Sequence, residues 1–314
     1  MRKTPRENVM HMAHLSTAVR RRCIALALLC FCLSPLMCAA ESAQALRDKY
    51  QSLAQRLADS PFHQPLVLES TETPDMLKGD IYSVIDYPFV TVSGALNDPA
   101  QGPAHWCDVL ILHLNIKYCH AVAGTSGSVL DVNLGRKVEQ SLSSSYRLEF
   151  SYRPVVSSAE YFRVELNADS GPFSTRDYRI VLEAIPSPAG GNRTFLHLTY
   201  AYGYGTAGRL AMRTYLATVG SNKVGFTESA DSSGAQPQYV GGVRGLLERN
   251  TMRYYLAIDA YLKALAVPPD KRLELRLVTW FNATEHYPRQ LHEVERQDYL
   301  QMKHHEVERQ QTAQ

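Results

Sequence analysis

"GLLERNTMRYYLAIDAYLKAL", residues 245–265, is the most strongly helical stretch of the sequence. Its apolar side chains recur at intervals of three and four residues, which places them along one face of an α-helix. That face carries Leu247, Tyr254, Ile258, Tyr261, Leu262 and Leu265. Pro268 and Pro269 end the helix, because proline lacks the amide hydrogen that a helix interior needs. The sequence therefore predicts one long amphipathic helix that needs a broad apolar surface to pack against.

The residues that precede this helix alternate in the manner of β-strands. Six candidate strands lie between residues 115 and 204, separated by turns rich in Gly, Ser and Pro. In "YRLEFSY" (146–152) the apolar side chains share one face and the polar side chains share the other. Consecutive strands with short turns predict an antiparallel sheet with one face exposed to water. A further strand is predicted at 79–89 and a helix at 42–59.

The order of these elements resembles the helix-grip fold of the START and polyketide-cyclase-like (SRPBCC) superfamily. Three stretches carry the resemblance, namely "YSVIDYPFVTVSGALNDPAQGPAHW" (82–106), the strands of 115–204 and the helix of 245–265. The resemblance implies an α+β fold, in which a curved antiparallel sheet grips a long C-terminal amphipathic helix. A short helix predicted at 207–218 and further helices after residue 268 depart from the plain plan of the family.

The chain is predicted to comprise four segments. They are a signal peptide (1–40), an N-terminal helix and linker (41–78), a START-like helix-grip domain (79–267) and a helical, charged C-terminal extension (268–314). In the extension the motif "HEVERQ" occurs at 292–297 and again at 305–310, and we interpret it as duplicated, solvated helix. On that interpretation, truncation after residue 288 leaves the domain folded.

The first forty residues have the pattern of a secretory signal peptide. Three arginines precede the apolar run "CIALALLCFCLSPLMCAA" (23–40), which is too short to span a membrane and ends in small residues. We therefore expect cleavage after Ala40 and a periplasmic or secreted protein. Lipidation at Cys38 is disfavoured, because the preceding Pro35-Leu36-Met37 lacks small residues.

The charge balance argues against a nucleic-acid partner. The leader holds six of the 33 basic residues and one of the 31 acidic residues, so the rest of the chain has 27 basic and 30 acidic residues. A net charge near −3 on that part leaves no basic stripe to follow a phosphate backbone.

Cysteine usage fits an exported protein. The leader contains four of the six cysteines, and only Cys107 and Cys119 remain. An even pair in an oxidising compartment is typical of a disulfide. A metal pair and a redox pair are the alternatives, but the C-x-x-C spacing of a redox pair is absent.

No motif identifies catalytic residues, so the sequence leaves open whether the protein is an enzyme. Gly203, Gly205 and Gly208 have G-x-G-x-x-G spacing, but the strand before them alternates and no βαβ series surrounds them. "HEVER" (292–296) has arginine where a second zinc-binding histidine would stand. We therefore expect no cofactor and no metal.

A cavity between sheet and helix would be lined by apolar groups with a few polar tips, and tyrosine provides both. We predict a ligand-binding group that consists of Tyr152, Arg163, Tyr178, Tyr200, Tyr202, Tyr254 and Ile258. The leading hypothesis is an exported protein that binds a hydrophobic or amphipathic, lipid-like molecule, with peripheral membrane contact possible. The alternatives are an enzyme of the cyclase or hydrolase type on the same fold, and a structural interaction protein of the envelope.

Overall fold

The computed structural model describes residues 39–124, 127–206, 208–210, 212, 214, 223–229 and 238–312. Its strands are β1 (Leu66–Glu72), β2 (Met76–Ile85), β3 (Ile116–Gly124), β4 (Gly127–Leu134), β5 (Tyr146–Ser157), β6 (Phe162–Ser170), β7 (Thr175–Pro186) and β8 (Thr194–Tyr204). They form one antiparallel sheet with the order β1-β2-β8-β7-β6-β5-β4-β3. From β3 to β8, strands that are neighbours in the sheet are also consecutive in the chain. Short turns therefore connect them, as the sequence predicted.

The helices are α1 (39–58), α2 (Phe89–Leu96), α3 (Gly102–Leu110), α4 (Gly242–Ala264), α5 (Pro269–Glu285), α6 (Pro288–Leu291) and α7 (Arg296–Thr312). Helix α4 packs against β1, β2 and β8 on one face of the sheet. The predicted fold class is thereby confirmed, since an antiparallel sheet grips a long helix and further helices follow it. No helix in the described ranges combines the length and apolar character that a membrane span requires.

Register shifts interrupt three strand pairs of the sheet. They lie between β3 and β4, between β5 and β6, and between β7 and β8. Such irregularities bend a strand and increase its local twist. They account for a sheet that curves around α4 instead of lying flat against it.

The long helix is buried on more than one side. Leu247, Tyr254, Ile258, Tyr261 and Leu262 are buried as the stripe predicts, and Leu265 is partly buried at the end of the helix. The opposite side is covered by α5, where the indole Nε1 of Trp280 donates a hydrogen bond of 3.1 Å to the carbonyl oxygen of Arg253. Helix α4 is therefore a central element of the core and not a lid exposed to solvent.

The sheet begins earlier in the chain than the sequence indicated. Strand β1 lies in the segment 41–78, where a linker was predicted, and pairs with β2 along its whole length. Helix α1 then packs on the outer face of the sheet, where Leu46, Leu53 and Leu57 meet Tyr82 and Phe195 in a second apolar cluster. The prediction of one wet face is therefore wrong for this part of the sheet.

Two sequence predictions concern residues outside the described ranges. The signal peptide of 1–40 lies there except for Ala39 and Ala40, which form the first described turn of α1. The helix predicted at 207–218 also lies largely outside, although residues 208–210 are helical.

The C-terminal extension is mostly helical as predicted, but the interpretation of the HEVERQ repeat as duplicated, solvated helix is wrong. Residues 292–295 of the first copy are not helical, and Glu306 of the second copy is buried. Tyr299, Met302, Lys303 and Glu306 of α7 are all buried. The ring of Tyr299 stacks on Trp280 with 5.0 Å between ring centroids. Helix α7 therefore belongs to the core, on the side of the sheet edge formed by β3.

Buried charges hold α7 in place. The carboxylate of Glu306 accepts hydrogen bonds from the ammonium groups of Lys117 in β3, at 2.9 Å, and of Lys303, at 2.7 Å. Lys303 also donates to the carbonyl oxygens of His113 and Ile116, at 2.8 and 2.9 Å. Charged residues that resemble a solvated helix in sequence are thus buried against partners almost two hundred positions away.

The two cysteines join α3 to β3. Cys107 and Cys119 lie at disulfide-bonding distance, with their Cα atoms 5.2 Å apart. The segment between them turns from the helix into the edge strand and carries His113. The bond would therefore fasten this segment at both ends.

We expect loss of this disulfide to destabilise the protein by about 3 kcal/mol. Without the bond the unfolded chain gains conformational entropy, and for a loop of this length that entropy lowers its free energy by about this amount. The measurement is urea unfolding of the wild type with and without reductant. The double variant Cys107→Ser/Cys119→Ser is the control, since reductant should not affect it. Identical unfolding midpoints for oxidised and reduced wild type would contradict the prediction.

Candidate functional site

A cavity of about 630 Å³ lies between the sheet and α4. Its sheet wall is formed by Phe150, Tyr178, Tyr200 and Tyr202, and its helix wall by Leu246, Asn250 and Tyr254. The end of α3, the segment after it and the start of β3 close it with Leu110, His113, Asn115 and Ile116. Arg136 and Phe173 are exposed and mark the rim.

Strand and helix periodicity explains why these side chains converge. Tyr200 and Tyr202 are two residues apart on β8, so both point to the same face of the sheet. Leu246, Asn250 and Tyr254 follow one another at intervals of four on α4, so they form a single row. The cavity is therefore bounded by one face of each element.

Four buried tyrosines form much of the aromatic part of the cavity wall. The rings of Tyr178 and Tyr202 stack with 5.2 Å between centroids, and Tyr200 meets Tyr254 edge to face at 5.1 Å. Burial raises the pKa of Tyr178 to about 12 and raises the pKa values of the other three more strongly. All four hydroxyls consequently stay protonated and can donate hydrogen bonds.

The four hydroxyls differ in their partners. Tyr178 donates to the hydroxyl of Thr175 at 2.8 Å, and the Tyr202 hydroxyl lies 3.8 Å from the sulfur of Met212. Among the described residues, none hydrogen-bonds the hydroxyl of Tyr200 or Tyr254. These two groups remain available to a bound molecule.

His113 is a neutral imidazole in the wall of the cavity. Its Nδ1 accepts a hydrogen bond of 3.1 Å from the backbone N–H of Asn115, which assigns the ring proton to Nε2. Burial, reinforced by the positive charges of Arg253, Lys303 and Lys137, holds the pKa of His113 well below its usual range. The ring stacks on Tyr254 with 4.9 Å between centroids.

The predicted ligand-binding residues separate into two groups. Tyr178, Tyr200, Tyr202 and Tyr254 line the cavity together, whereas Tyr152, Arg163 and Ile258 do not. The Tyr152 hydroxyl lies 3.0 Å from the carbonyl oxygen of Asp98 and joins β5 to the segment between α2 and α3. Ile258 is 1% exposed in the solid core one turn beyond Tyr254.

Arg163 lies on the opposite face of the sheet from the cavity. Its guanidinium pairs with Glu165 at 2.8 Å and with Glu183 at 3.5 Å. Its neighbours Phe162 and Val164 are buried instead, as the alternation of a strand requires. The prediction that Arg163 orients a ligand in the cavity is therefore wrong.

Several wall residues were not predicted from the sequence. His113, Asn250 and Phe150 were not singled out. The position of Asn250, one helical turn before Tyr254, was the one available signal. His113 reaches the cavity only because α3, the disulfide segment and α7 fold together, which no local pattern encodes.

A second cluster of charged side chains lies on the outer face of the sheet. His197 hydrogen-bonds Glu183 through Nδ1 at 2.7 Å and Asp80 through Nε2 at 2.8 Å, and its ring stacks on Tyr82. Although burial opposes the charge, both carboxylates raise the pKa of His197. Burial alone would raise the pKa values of Asp80 and Glu183, but hydrogen bonds from His197 lower both values.

This cluster predicts a defined pH dependence of stability. Because the pKa of His197 is raised in the folded protein, its protonation stabilises the fold. This stabilisation is complete below the unfolded pKa of 6.5 and is lost as pH rises through the folded pKa. The lowered pKa values of Asp80 and Glu183 stabilise the folded protein above their unfolded pKa values of 3.8 and 4.5. This stabilisation is lost as pH falls through the folded pKa values. The contribution of His197 should therefore be largest between pH 4.5 and 6.5.

We expect His197→Gln to lose more unfolding free energy at about pH 5.5 than at about pH 9. Urea unfolding of wild type and variant at both pH values measures the two differences. The exposed His305→Gln is the matched control and should show little difference at either pH. A deficit in His197→Gln that does not change with pH would refute the electrostatic account of the cluster.

In the described part of the chain, no group of three or more His, Cys, Asp or Glu side chains is arranged to hold a metal ion. Among the described residues that line the cavity, Arg136 is the one that carries a full charge. The arrangement can therefore enclose an apolar body and hydrogen-bond a neutral polar group.

Fold and cavity together define a protein of the helix-grip fold class with a cavity of ligand size that opens to solvent at its rim. No protein-family profile matches the chain, and no curated protein matches it either. Among solved structures, it is similar to norcoclaurine synthase from Thalictrum flavum, with 12% identity, 61% of this chain and 88% of that chain covered, and a TM-score of 0.34. A conserved protein from Geobacillus kaustophilus gives 14% identity, 60% and 97% coverage, and a TM-score of 0.32.

A structure of the same synthase in complex with dopamine and hydroxybenzaldehyde is also similar, at 12% identity and a TM-score of 0.32, with 49% of this chain and 87% of that chain covered. Likenesses this distant do not carry an activity or a substrate from one protein to another.

Proposed function

We propose that the protein binds one hydrophobic or amphipathic small molecule, lipid-like in character, in the cavity between the sheet and α4. The observation that carries the proposal is the pair of free hydroxyls, on Tyr200 and Tyr254, in a wall that is mainly apolar and contains a few polar side chains such as His113 and Asn250. A polar group without a partner costs free energy in a buried site unless a ligand or water meets it. The cavity volume of about 630 Å³ falls within the range of about 300–1,000 Å³ that is usual for small-molecule sites.

We also propose that the protein is exported to the periplasm or secreted. The apolar leader of residues 23–40 and the pairing geometry of Cys107 and Cys119 support this, because structural disulfides persist in oxidising compartments. Transient contact with a membrane surface, from which a lipid-like ligand could be collected, belongs to the same proposal.

The proposal also includes membership of the START and polyketide-cyclase-like superfamily. It further includes the division of the chain into a helix-grip domain at 79–267 with flanking segments. The sheet order and the central helix support the superfamily. The packing of β1 and α7 favours extending the domain to include both.

Neither alternative function has a comparable observation in its favour. An enzyme of the cyclase or hydrolase type would need an acid and a base that converge in the cavity. No carboxylate is among its described lining residues, and the lowered pKa of His113 makes that imidazole a weak base. An interaction protein that works through a free charged tail would need α7 exposed, whereas its central side chains are buried.

We expect Leu246→Trp to weaken binding of a small apolar ligand by about tenfold or more, equivalent to about 1.4 kcal/mol. Leu246 is half-buried at the helix wall, so an indole there would occupy cavity volume without replacing a core side chain. The measurement is fluorescence titration with Prodan, a neutral naphthalene dye whose emission shifts in an apolar site.

The matched control is Lys263→Trp, which adds the same indole to an exposed position of the same helix. It should bind the dye as the wild type does. Equal dye affinities for Leu246→Trp and wild type, in a protein of unchanged thermal stability, would contradict the proposed site. If the dye titrations support the site, organic extraction of the purified protein followed by mass spectrometry would identify the natural ligand.

A further inference from the structure

The two free hydroxyls belong to neighbouring rings, and we call this part of the cavity wall the polar spot. Tyr200 on β8 and Tyr254 on α4 are each 6% exposed, and their rings meet at 5.1 Å. Because both hydroxyls stay protonated and lack acceptors among the described residues, each has a proton to donate. A phenolic hydroxyl in an apolar wall therefore requires an acceptor from whatever occupies the cavity.

The charges around this spot disfavour a cation. Arg253, Lys303 and Lys137 lie close enough to His113 to act on its ring, which itself stacks on Tyr254. Glu293 is shared by Arg253 and Lys137, and Glu306 is shared by Lys303 and a second lysine. An ammonium group in the cavity would meet this positive surrounding with no carboxylate among the described lining residues.

A carboxylate at the same depth is disfavoured for a different reason. The nearby cations already donate hydrogen bonds to protein groups. Lys303 donates to the carbonyl oxygen of His113, and Arg253 donates to that of Leu291. Arg136, the one charged lining residue in the described chain, lies at the exposed rim. A buried carboxylate would thus lose its hydration without a direct ion pair.

We propose that the cavity selects uncharged ligands that present an oxygen acceptor, such as a ketone or ester carbonyl, to the hydroxyls of Tyr200 and Tyr254. This inference rests on the proposed binding function and specifies the chemistry of its ligand. The apolar remainder of the ligand lies against Phe150 and Leu246.

The test uses three naphthalenes substituted at the same ring position, each competing with Prodan for the full-length mature protein. Acetylnaphthalene carries the acceptor, ethylnaphthalene has the same carbon skeleton without the oxygen, and naphthylmethylamine is a cation at neutral pH. We expect the acetyl compound to bind roughly three- to tenfold more tightly than the ethyl compound, the usual effect of one hydrogen bond. The amine should bind at least about tenfold more weakly than the acetyl compound.

The double variant Tyr200→Phe/Tyr254→Phe removes both hydroxyls and keeps both rings. It should bind ethylnaphthalene as the wild type does and lose the preference for acetylnaphthalene. Tyr152→Phe is the matched control, because its hydroxyl lies outside the cavity on backbone carbonyls. That variant should keep the wild-type preference.

The outcomes separate this inference from the function on which it rests. If all three compounds bind equally to wild type, or if the double variant keeps the preference, the acceptor inference is overturned while the cavity still binds ligands. If neither Prodan nor any naphthalene binds, the proposed function fails and the inference fails with it. Tight binding of the amine would refute the charge argument directly.

Discussion

A chain that ends at residue 291 is expected to lose its cooperative fold. Deletion of α7 removes the buried Tyr299 and Met302 and uncovers Trp280 and Phe281, which contact Tyr299. Each of these four side chains contributes about 1.5–3 kcal/mol by burial, and together they contribute about 6–12 kcal/mol. A whole domain is stable by only about 5–15 kcal/mol.

Deletion would also leave β3 as an uncovered sheet edge, which promotes aggregation. Circular dichroism and urea unfolding of the truncated protein measure the effect. The control is a chain shortened only after Glu308, which keeps every buried side chain of α7. A truncated protein that unfolds cooperatively at the wild-type midpoint would show that α7 is dispensable.

The second large effect is expected from Glu306→Leu. This substitution leaves Lys117 and Lys303 buried without the carboxylate that both of them contact. Removal of one partner from a buried ionic network costs about 3–5 kcal/mol, because the remaining charges are uncompensated.

Glu308→Leu makes the same chemical change at an exposed position of the same helix and should alter stability little. Urea unfolding of the two variants side by side gives the comparison. If both variants unfold at the same midpoint, the lysines are compensated by something other than Glu306.

The elements that could be predicted from the sequence are those with a strong local period. Helix α4 and the strands from β3 to β8 each carry an apolar face toward the core, so their apolar residues recur at intervals that a single sequence displays. Strand β1 was missed because it is short and its last four residues are polar or charged. Helix α7 was predicted, but its burial was missed, since its buried Lys303 and Glu306 are charged and their partners are remote in the chain.

The site was predictable in residue type but only partly in position. Alternation on β8 places Tyr200 and Tyr202 correctly, and the same rule, applied from the buried neighbours of Arg163, would have turned that side chain to the outer face. Tyr152 and Ile258 point inward as expected, but the cavity occupies only one end of the core. Where a core leaves space depends on how all its side chains fill the volume, and no local pattern records that.

The most direct test of the cavity is a crystal structure of the protein grown with saturating Prodan. We expect ordered density for the dye between β8 and α4, against Leu246, with its carbonyl oxygen within hydrogen-bond distance of the Tyr200 or Tyr254 hydroxyl. Density that shows the space between these tyrosines filled by protein side chains, or the dye bound elsewhere, would contradict it.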